Sequence, residues 1–206
     1  MKKMVMMLLL GVSAVLAEQV PEDVQLVIDN AINGKYPISK EFIQDNLPAS
    51  GIKAGRPFHF YWFDNDSIAK LDEKAPICSM IKPIDQWAVP LITPKNKIVL
   101  MELVKNPATG KWHVAGYGMS GYAHRWERVC KKWPDSLGYH PIFIGRFAGT
   151  QFYYTIPEKD CKNLTDFRTY GINRDKHDSL FLNLDSSRVI IKKMKSEYSS
   201  HFTGDR

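Results

Sequence analysis

The chain has 206 residues, of which 44% are hydrophobic and 12% aromatic, and its formal net charge at pH 7 is +6. This composition is typical of a globular protein with a hydrophobic core and excludes a disordered or fibrous chain. The basic residues are dispersed except for one cluster at residues 192–195, which we interpret as a solvated helix face, so nucleic acid is not a predicted partner.

The first 17 residues predict a cleavable export signal. Lys2 and Lys3 form a basic start, residues 5–15 are almost free of polar side chains, and Val15-Leu16-Ala17 is a small-residue cleavage pattern. The apolar run of about 11 residues is too short for a membrane-spanning helix, which needs roughly 20, and no later segment is long and apolar enough. We therefore expect a signal peptide at residues 1–17 and a mature chain, of net charge +4, in the periplasm or outside the cell.

Residues 18–206 are expected to form a single α+β domain that begins with a helix. Pro21 stands at the first turn of this helix and Gly34 ends it. The apolar positions with helical spacing are Val24, Val27, Ile28, Ala31 and Ile32. A second, short helix is predicted from Ser39 to Leu47, followed by a loop rich in Gly and Pro at residues 48–57.

From Phe58 onward the pattern changes to that of β-strands. Residues 58–63 predict a strand, residues 64–67 a turn and residues 68–71 the return strand. A further extended run at residues 87–92 is interrupted by Pro90. Because proline cannot donate a backbone hydrogen bond, this run is expected at a sheet edge or a bulge.

The clearest local unit is a β-hairpin spanning residues 97–117. Its first strand is apolar on both faces, which predicts a central position in the sheet. With Lys105 and Lys111 as the closing pair, Glu102 and His113 would point to opposite faces. The two side chains are therefore poor candidates for an acid–base pair.

The second half of the chain predicts a helix over residues 122–133, a second hairpin over residues 141–156 and a terminal helix capped by Asp185 or Ser186. Residues 163–183 give no clear pattern. The inward positions are Trp126, Val129, Cys130 and Trp133 in the first helix and Ile190, Ile191, Met194, Tyr198 and Phe202 in the second. We expect an α+β fold in which an antiparallel sheet of about five or six strands packs against N-terminal, central and C-terminal helices.

The chain contains three cysteines, Cys78, Cys130 and Cys161. In an oxidising compartment one pair among them can form a disulfide, and one thiol remains. The spacing of the three cysteines does not show which two are paired. Cys130 falls on the apolar stripe of its predicted helix and is expected to be a small buried hydrophobe rather than a nucleophile.

Residues 116–121 form a literal G-x-G-x-x-G between a predicted strand and a predicted helix. The strand belongs to an antiparallel hairpin, whereas a dinucleotide site requires a parallel βαβ unit, so no cofactor is predicted. We interpret the glycines as a tight turn from strand to helix. Backbone N–H groups at the helix start and nearby basic side chains could hold a small anion. The residues of this predicted anion site are Gly118, Gly121, His124, Arg125 and Arg128.

No metal site is predicted. Asp64-Asn65-Asp66 resembles the start of a calcium loop, but the next ligand position holds Ile68 and no glycine follows. His124 and Glu127 lie one helical turn apart, which supplies two ligands and not a complete site.

One sequence pattern resembles that of small secreted bacterial α+β modules. It consists of Trp87-Ala88-Val89-Pro90, a strand, then Gly110-Lys111-Trp112-His113-Val114 with Gly116 to Gly118 behind it. The resemblance covers roughly residues 85–156. It implies a cystatin-like, NTF2-like or profilin-like shape and carries over no functional residue.

These observations favour an exported domain of the bacterial cell envelope or exterior that binds a small ligand or an envelope protein without catalysis. The alternative is a secreted hydrolase, which would need His113, His124 or His140 to meet a nucleophile or carboxylate in space. A third hypothesis is a structural or assembly component of the envelope. The sequence specifies neither the ligand nor the oligomeric state.

Overall fold

The computed structural model describes residues 19–34, 51–64, 66–67, 70, 74–145, 152–168 and 180–202. Three predictions lie wholly or largely outside these ranges: the signal peptide at 1–17, the helix at 39–47 and the return strand at 68–71. Next to that last segment, Asp66 and Ser67 are helical rather than part of a turn between strands.

The described residues form an α+β fold with three α-helices and nine strands. The helices are α1 (Glu22–Ile32), α2 (Ser120–Lys132) and α3 (Leu184–Phe202), and two 3-10 helices cover Ile77–Met80 and Asp135–Leu137. The strands are β1 (Lys53–Ala54), β2 (Phe58–Phe63), β3 (Ile81–Ile92), β4 (Ile98–Lys105), β5 (Trp112–Gly118), β6 (Pro141–Ile144), β7 (Phe152–Pro157), β8 (Leu164–Arg168) and β9 (Leu180–Leu182).

All nine strands belong to one sheet, in the order β5-β4-β3-β2-β6-β7-β8-β9, with β1 paired to β3. Every pairing is antiparallel except that of β2 with β6, which is parallel. The antiparallel sheet is therefore confirmed, but it has more strands than the predicted five or six. The additional strands are the two-residue β1 and the pair β8 and β9, which lie where the sequence shows no alternation.

The run that contains Pro90 is a central strand, which overturns the first of the two predicted alternatives, a sheet edge or a bulge. β3 pairs with β4 on one side, and on the other it pairs with β1 and then β2. The carbonyl oxygen of Pro90 accepts a hydrogen bond of 2.6 Å from the backbone N–H of Gly55. In a β-strand, the N–H and C=O groups of one residue point to the same side. An N–H group at position 90 would therefore point toward the gap between β1 and β2, so the proline costs few hydrogen bonds of the sheet.

The register of the β4–β5 hairpin is one residue away from the predicted one beside the turn, and two residues away beyond a bulge between Glu102 and Leu103. Asn106 rather than Lys105 closes the turn, through a 2.8 Å hydrogen bond from its N–H to the carbonyl of Lys111. Gly110 makes this turn possible, because its φ of +67° is left-handed. Val104 now pairs with His113, so Glu102 lies on the same face of the sheet as His113, and the prediction of opposite faces is wrong.

The sheet is covered on both faces. Phe143 of β6 packs in a cluster with Trp126 of α2, whereas its neighbours Ile142 and Ile144 pack in a cluster with Ile191 of α3. Since adjacent strand residues point to opposite faces, α2 and α3 lie on opposite sides. On β3, Ala88 belongs to the α2 cluster, while the alternating residues Trp87, Val89 and Leu91 pack with the apolar side of α1.

The helix faces agree with the predicted periodicity. Val24, Val27, Ile28 and Ala31 of α1 and Trp126 and Val129 of α2 are buried, and Cys130 packs partly buried beside them. The start of α3 differs from the prediction: Asn183 is the cap, since its side-chain oxygen accepts a 2.8 Å hydrogen bond from the N–H of Ser186. The described helices include none that is long and apolar enough to cross a membrane.

The predicted single disulfide is confirmed, and it joins Cys78 to Cys161, whose Cα atoms are 5.7 Å apart. Cys130 is the free thiol. The bond fastens the 3-10 helix ahead of β3 to the turn that follows β7. This turn carries Glu158, whose N–H donates to the carbonyl of His140 at the start of β6.

Candidate functional site

A cavity of about 380 Å³ opens where β1 gives way to β2. Its lining comes from both sheet faces, because the backbone between the two strands does not continue the pairing with β3 at this point. We call it the Arg56 cavity. It is lined by Val20, Arg56, Pro57, Phe58, His59, Tyr61, Trp87, Trp126, Asp135, His140, Pro141, Ile142 and Glu158.

The polar end of the cavity is organised around the carboxylate of Asp135. One of its oxygens, Oδ1, lies 2.8 Å from Nη2 of Arg56 and 2.9 Å from Nδ1 of His140. An ionised carboxylate only accepts hydrogen bonds, so Nδ1 of His140 carries a hydrogen. Its other ring nitrogen, Nε2, has no hydrogen-bond partner among the described residues.

Arg56 is held at several points. Its guanidinium stacks over the ring of Trp126 at 5.7 Å from the ring centroid, and its carbonyl oxygen accepts a 3.2 Å hydrogen bond from the Trp126 indole nitrogen. Nη1 lies 3.6 Å from Sγ of Cys130. These contacts hold the guanidinium against α2 and the 3-10 helix that follows it.

The apolar end of the cavity is built from stacked rings. The imidazole of His59 lies parallel to the indole of Trp87, with centroids 4.6 Å apart and an interplanar angle of 8°. Nε2 of His59 donates a hydrogen bond to the carbonyl of Ile84, and Tyr61 contacts the same imidazole edge-on at 5.4 Å. This packing makes the wall rigid and aromatic.

Cys130 is not an activated nucleophile. Burial raises the pKa of its thiol to about 11, and the nearby Arg56 guanidinium opposes this effect only in part. The thiol is therefore protonated at neutral pH. This agrees with the expectation that Cys130 serves as a small hydrophobe.

The predicted anion site lies at the other end of α2. Gly118 ends β5 opposite Leu100, and Gly121 is exposed in the first helical turn. Further along α2, His124 and Arg128 are exposed and Arg125 is partly exposed. None of the five residues lines the Arg56 cavity, since α2 places about 20 Å between its two ends.

The glycines of this segment do not make its turn, which corrects our interpretation of the motif. The left-handed residue is Met119, with φ of +46°, whereas Gly116, Gly118 and Gly121 have ordinary φ values. A Cβ at Gly116 or Gly121 would meet nothing within 4 Å. Because β4 and β5 are antiparallel, the segment also lacks the βαβ arrangement of a dinucleotide site.

Among the described residues there is no group of three or more His, Cys, Asp or Glu side chains that could hold a metal ion. Within that described part of the chain, His124 and Glu127 of α2 have no third ligand from another element.

Arg56 and Asp135, which organise the polar end of the cavity, are not predicted from the sequence as site residues. Arg56 stands in the Gly- and Pro-rich loop and Asp135 follows Pro134, both typical turn positions. The two residues are 79 positions apart and share no motif. The one available signal was His140, which the sequence offered only as one of three histidines that might meet a carboxylate.

Comparison of this chain with protein-family models, with curated proteins and with solved structures finds no match. The resemblance to small secreted α+β modules therefore stays a prediction.

Proposed function

We propose that this protein binds a small organic ligand in the Arg56 cavity without transforming it. The observation that carries the proposal is the Arg56–Asp135–His140 cluster at one end of an aromatic cavity. Ligand pockets combine apolar walls with a few fixed polar groups and typically measure about 300 to 1,000 Å³, a range that includes this one.

Binding is favoured over catalysis by the chemistry of the lining. Among the described residues that line the cavity, none is a serine, threonine or cysteine that could act as a nucleophile. The cavity wall is also extensively stacked and hydrogen-bonded. Such a preorganised wall lowers the entropic cost of binding a ligand.

We place the protein outside the cytoplasm. Disulfides persist in oxidising compartments and are rare in the cytosol, so the bond between Cys78 and Cys161 supports this location. The basic and apolar leader of the sequence supports it independently.

The proposal can be tested with N-phenyl-1-naphthylamine, a neutral dye that fluoresces in apolar cavities. We expect saturable binding to the parent, and a loss of affinity of about tenfold or more in Val20→Trp, because the added indole occupies the cavity. Leu26→Trp is the matched control: the same ring is introduced on α1 at a side chain that is 61% exposed.

Val20→Phe adds a smaller ring and should give an intermediate loss, which keeps the test valid if Val20→Trp fails to fold. Circular dichroism and a urea titration check the fold of each variant. Absence of dye binding to the parent, or equal affinities in the Val20 variants and Leu26→Trp, would refute ligand binding in this cavity.

A second candidate function, a hydrolase, is favoured by one contact. Asp135 holds His140 by Nδ1, and an imidazole oriented in this way can act as a general base through Nε2 toward a water molecule. Hydrolysis of nitrophenyl esters or phosphates by the parent would support the hydrolase if His140→Gln abolishes this activity and still binds the dye. Activity that persists in this variant would exclude the role for His140.

A further inference from the structure

We propose that disulfide formation between Cys78 and Cys161 strengthens ligand binding in the Arg56 cavity and so acts as its redox switch. This inference rests on the proposed function and adds the regulation of the same site. Three observations carry it: the turn that ends at Cys161 supports the cavity, the bond fastens this turn to the core, and the backbone of Cys161 is left-handed.

The turn after β7 connects the disulfide to the cavity. Glu158 of this turn lines the cavity, and its backbone N–H donates a 3.2 Å hydrogen bond to the carbonyl of His140, another lining residue. The next residue, Lys159, donates a 2.8 Å hydrogen bond from Nζ to the carbonyl of Leu137. The same Nζ lies 5.1 Å from the ring centroid of Tyr139. The turn therefore supports the segment that leads into β6 at the polar end of the cavity.

The disulfide fastens this turn to the hydrophobic core. Cys78 belongs to the 3-10 helix whose residues Ile77 and Met80 are buried in the cluster that packs against α3. On the other side of the bond, the N–H of Cys161 donates a 2.9 Å hydrogen bond to the carbonyl of Pro157, where β7 ends. The bond thus joins the end of the turn to a close-packed element.

The backbone of Cys161 makes the position of the turn dependent on the bond. Its φ is +48°, in the left-handed region that a residue with a Cβ rarely adopts. Such a residue keeps its conformation only while the surrounding structure holds it there. Without the bond, Cys161 relaxes toward an ordinary conformation, and the turn loses its fixed position against the segment ahead of β6.

The redox step is a thiol–disulfide exchange, and both cysteines are partly exposed to a reaction partner. The two thiols pass two electrons and two protons to an external disulfide. The bond between the cysteines forms, and the external disulfide is reduced to two thiols. Protein disulfides persist outside the cytoplasm and are rare in the cytosol. The switch therefore confines tight ligand binding to the compartment in which we place the protein.

The test measures the affinity of N-phenyl-1-naphthylamine for the oxidised protein and for the same protein reduced with dithiothreitol, a dithiol that becomes a cyclic disulfide. Thiol titration in denaturant confirms one free thiol in the first state and three in the second. We expect about fivefold weaker binding to the reduced protein, because the ligand must order a mobile turn. Sucrose in the buffer favours the folded state, which circular dichroism confirms.

A pair of variants separates the turn from the stability of the whole fold. Both carry Cys78→Ala, with Cys161→Ala in one variant and Cys161→Gly in the other. Because glycine adopts a positive φ without strain, we expect the Gly variant to bind the dye about threefold more tightly than the Ala variant. Neither variant should respond to dithiothreitol.

A further measurement leaves the disulfide intact and decides the question if the bond-free forms do not fold. Lys159→Met removes the contacts of the turn with Leu137 and Tyr139, and we expect it to weaken dye binding by about threefold. Lys162→Met is the matched control, because this lysine is exposed and does not line the cavity. It should leave the affinity unchanged.

The outcomes separate the switch from the proposed function. Failure of the dye to bind the oxidised protein refutes ligand binding itself. If the dye binds the oxidised and the folded reduced protein equally well, the switch is wrong and ligand binding stands. Equal affinities of the Ala and Gly variants, or an unchanged affinity in Lys159→Met, would also overturn the switch, because the turn would then not link the bond to the cavity.

Discussion

Two ends of the same helix illustrate what a local motif does and does not predict. At the start of α2, residues 116–128 combine a glycine motif with basic side chains, and the structure leaves His124 and Arg128 exposed on the helix surface. Beyond the end of α2, Asp135 meets Arg56 and His140 beside a cavity, although no motif marks this segment.

The difference lies in how each group of residues is assembled. The residues of the first region are close in sequence, so the helix brings them together without forming an enclosed space. Those of the second come from the β1–β2 link, a 3-10 helix and the start of β6, and these elements enclose a cavity. A site with walls needs contacts between distant segments, and these contacts also hold its side chains in place.

Removal of the disulfide, which fastens the turn that carries Glu158, should have the largest effect on stability. Replacing Cys78 and Cys161 by Ala opens a loop of 83 residues, and we expect the free energy of unfolding to fall by about 4 kcal/mol. Urea titration measures this value. Cys130→Ala is the control and should lower the free energy of unfolding by about 1 kcal/mol. Similar losses in both variants would show that the disulfide stabilises the fold no more than one buried cysteine side chain does.

A pH titration distinguishes the two ends of α2. Cys130, at the cavity end, has a folded-state pKa of about 11, above the value of about 8.5 in an unfolded chain. Between these values the folded state retains the proton that the unfolded state has lost. Its contribution to stability is therefore complete below pH 8.5 and falls by about 3 kcal/mol as the pH rises to 11.

Urea titrations between pH 7 and pH 10 measure this slope. Cys130→Ala should show a flatter dependence than the parent, and the rate of alkylation by iodoacetamide should rise only above about pH 10. A parent and a variant with the same slope would contradict a buried thiol at this position.

A smaller contrast compares single side chains of the two regions. Asp135→Ala removes the acceptor shared by Arg56 and His140, and we expect a loss of about 1 kcal/mol, because the pair is partly exposed. His124→Ala at the start of α2 should change the free energy of unfolding by less than about 0.5 kcal/mol. Equal losses in the two variants would show that Asp135 contributes no more to stability than an exposed helix side chain does.

The smallest effect is expected at the predicted anion site. Helix N-termini attract anions by about 0.3 to 1 kcal/mol, so sulfate should bind there weakly. Arg125→Ala combined with Arg128→Ala should reduce this affinity a few-fold and leave the circular dichroism spectrum unchanged. Sulfate titrations followed by the amide resonance of Gly121 test the prediction, which equal affinities in the two proteins would refute.

The sequence predicts the elements whose signals are local. The periodicity of α1 and α2, the β4–β5 hairpin and the β6–β7 hairpin all reflect side chains within a few residues of each other, and the structure contains each of them. The predicted register of β4 and β5 is wrong by one residue beside the turn. Register depends on the conformation of a single glycine, Gly110, which composition does not specify.

The cavity could not be predicted in the same way. The paired residues Arg56 and Asp135 are 79 positions apart, and β2 reaches β6 only through a parallel pairing that joins distant parts of the chain. His140 follows Asp135 by only five positions, but the contacts that bring Arg56 to this pair arise from packing of the whole sheet. No local pattern in the sequence encodes them.

The most direct test of the central claim is a titration of 15N-labelled protein with N-phenyl-1-naphthylamine, followed by the indole N–H resonances of its five tryptophans. Trp87 and Trp126 line the Arg56 cavity, whereas Trp112 lies on the edge strand β5. We predict saturable shifts of the Trp87 and Trp126 signals with that of Trp112 unchanged. Shifts confined to the amides of Gly118 and Gly121 would contradict the account and move the ligand site to the start of α2.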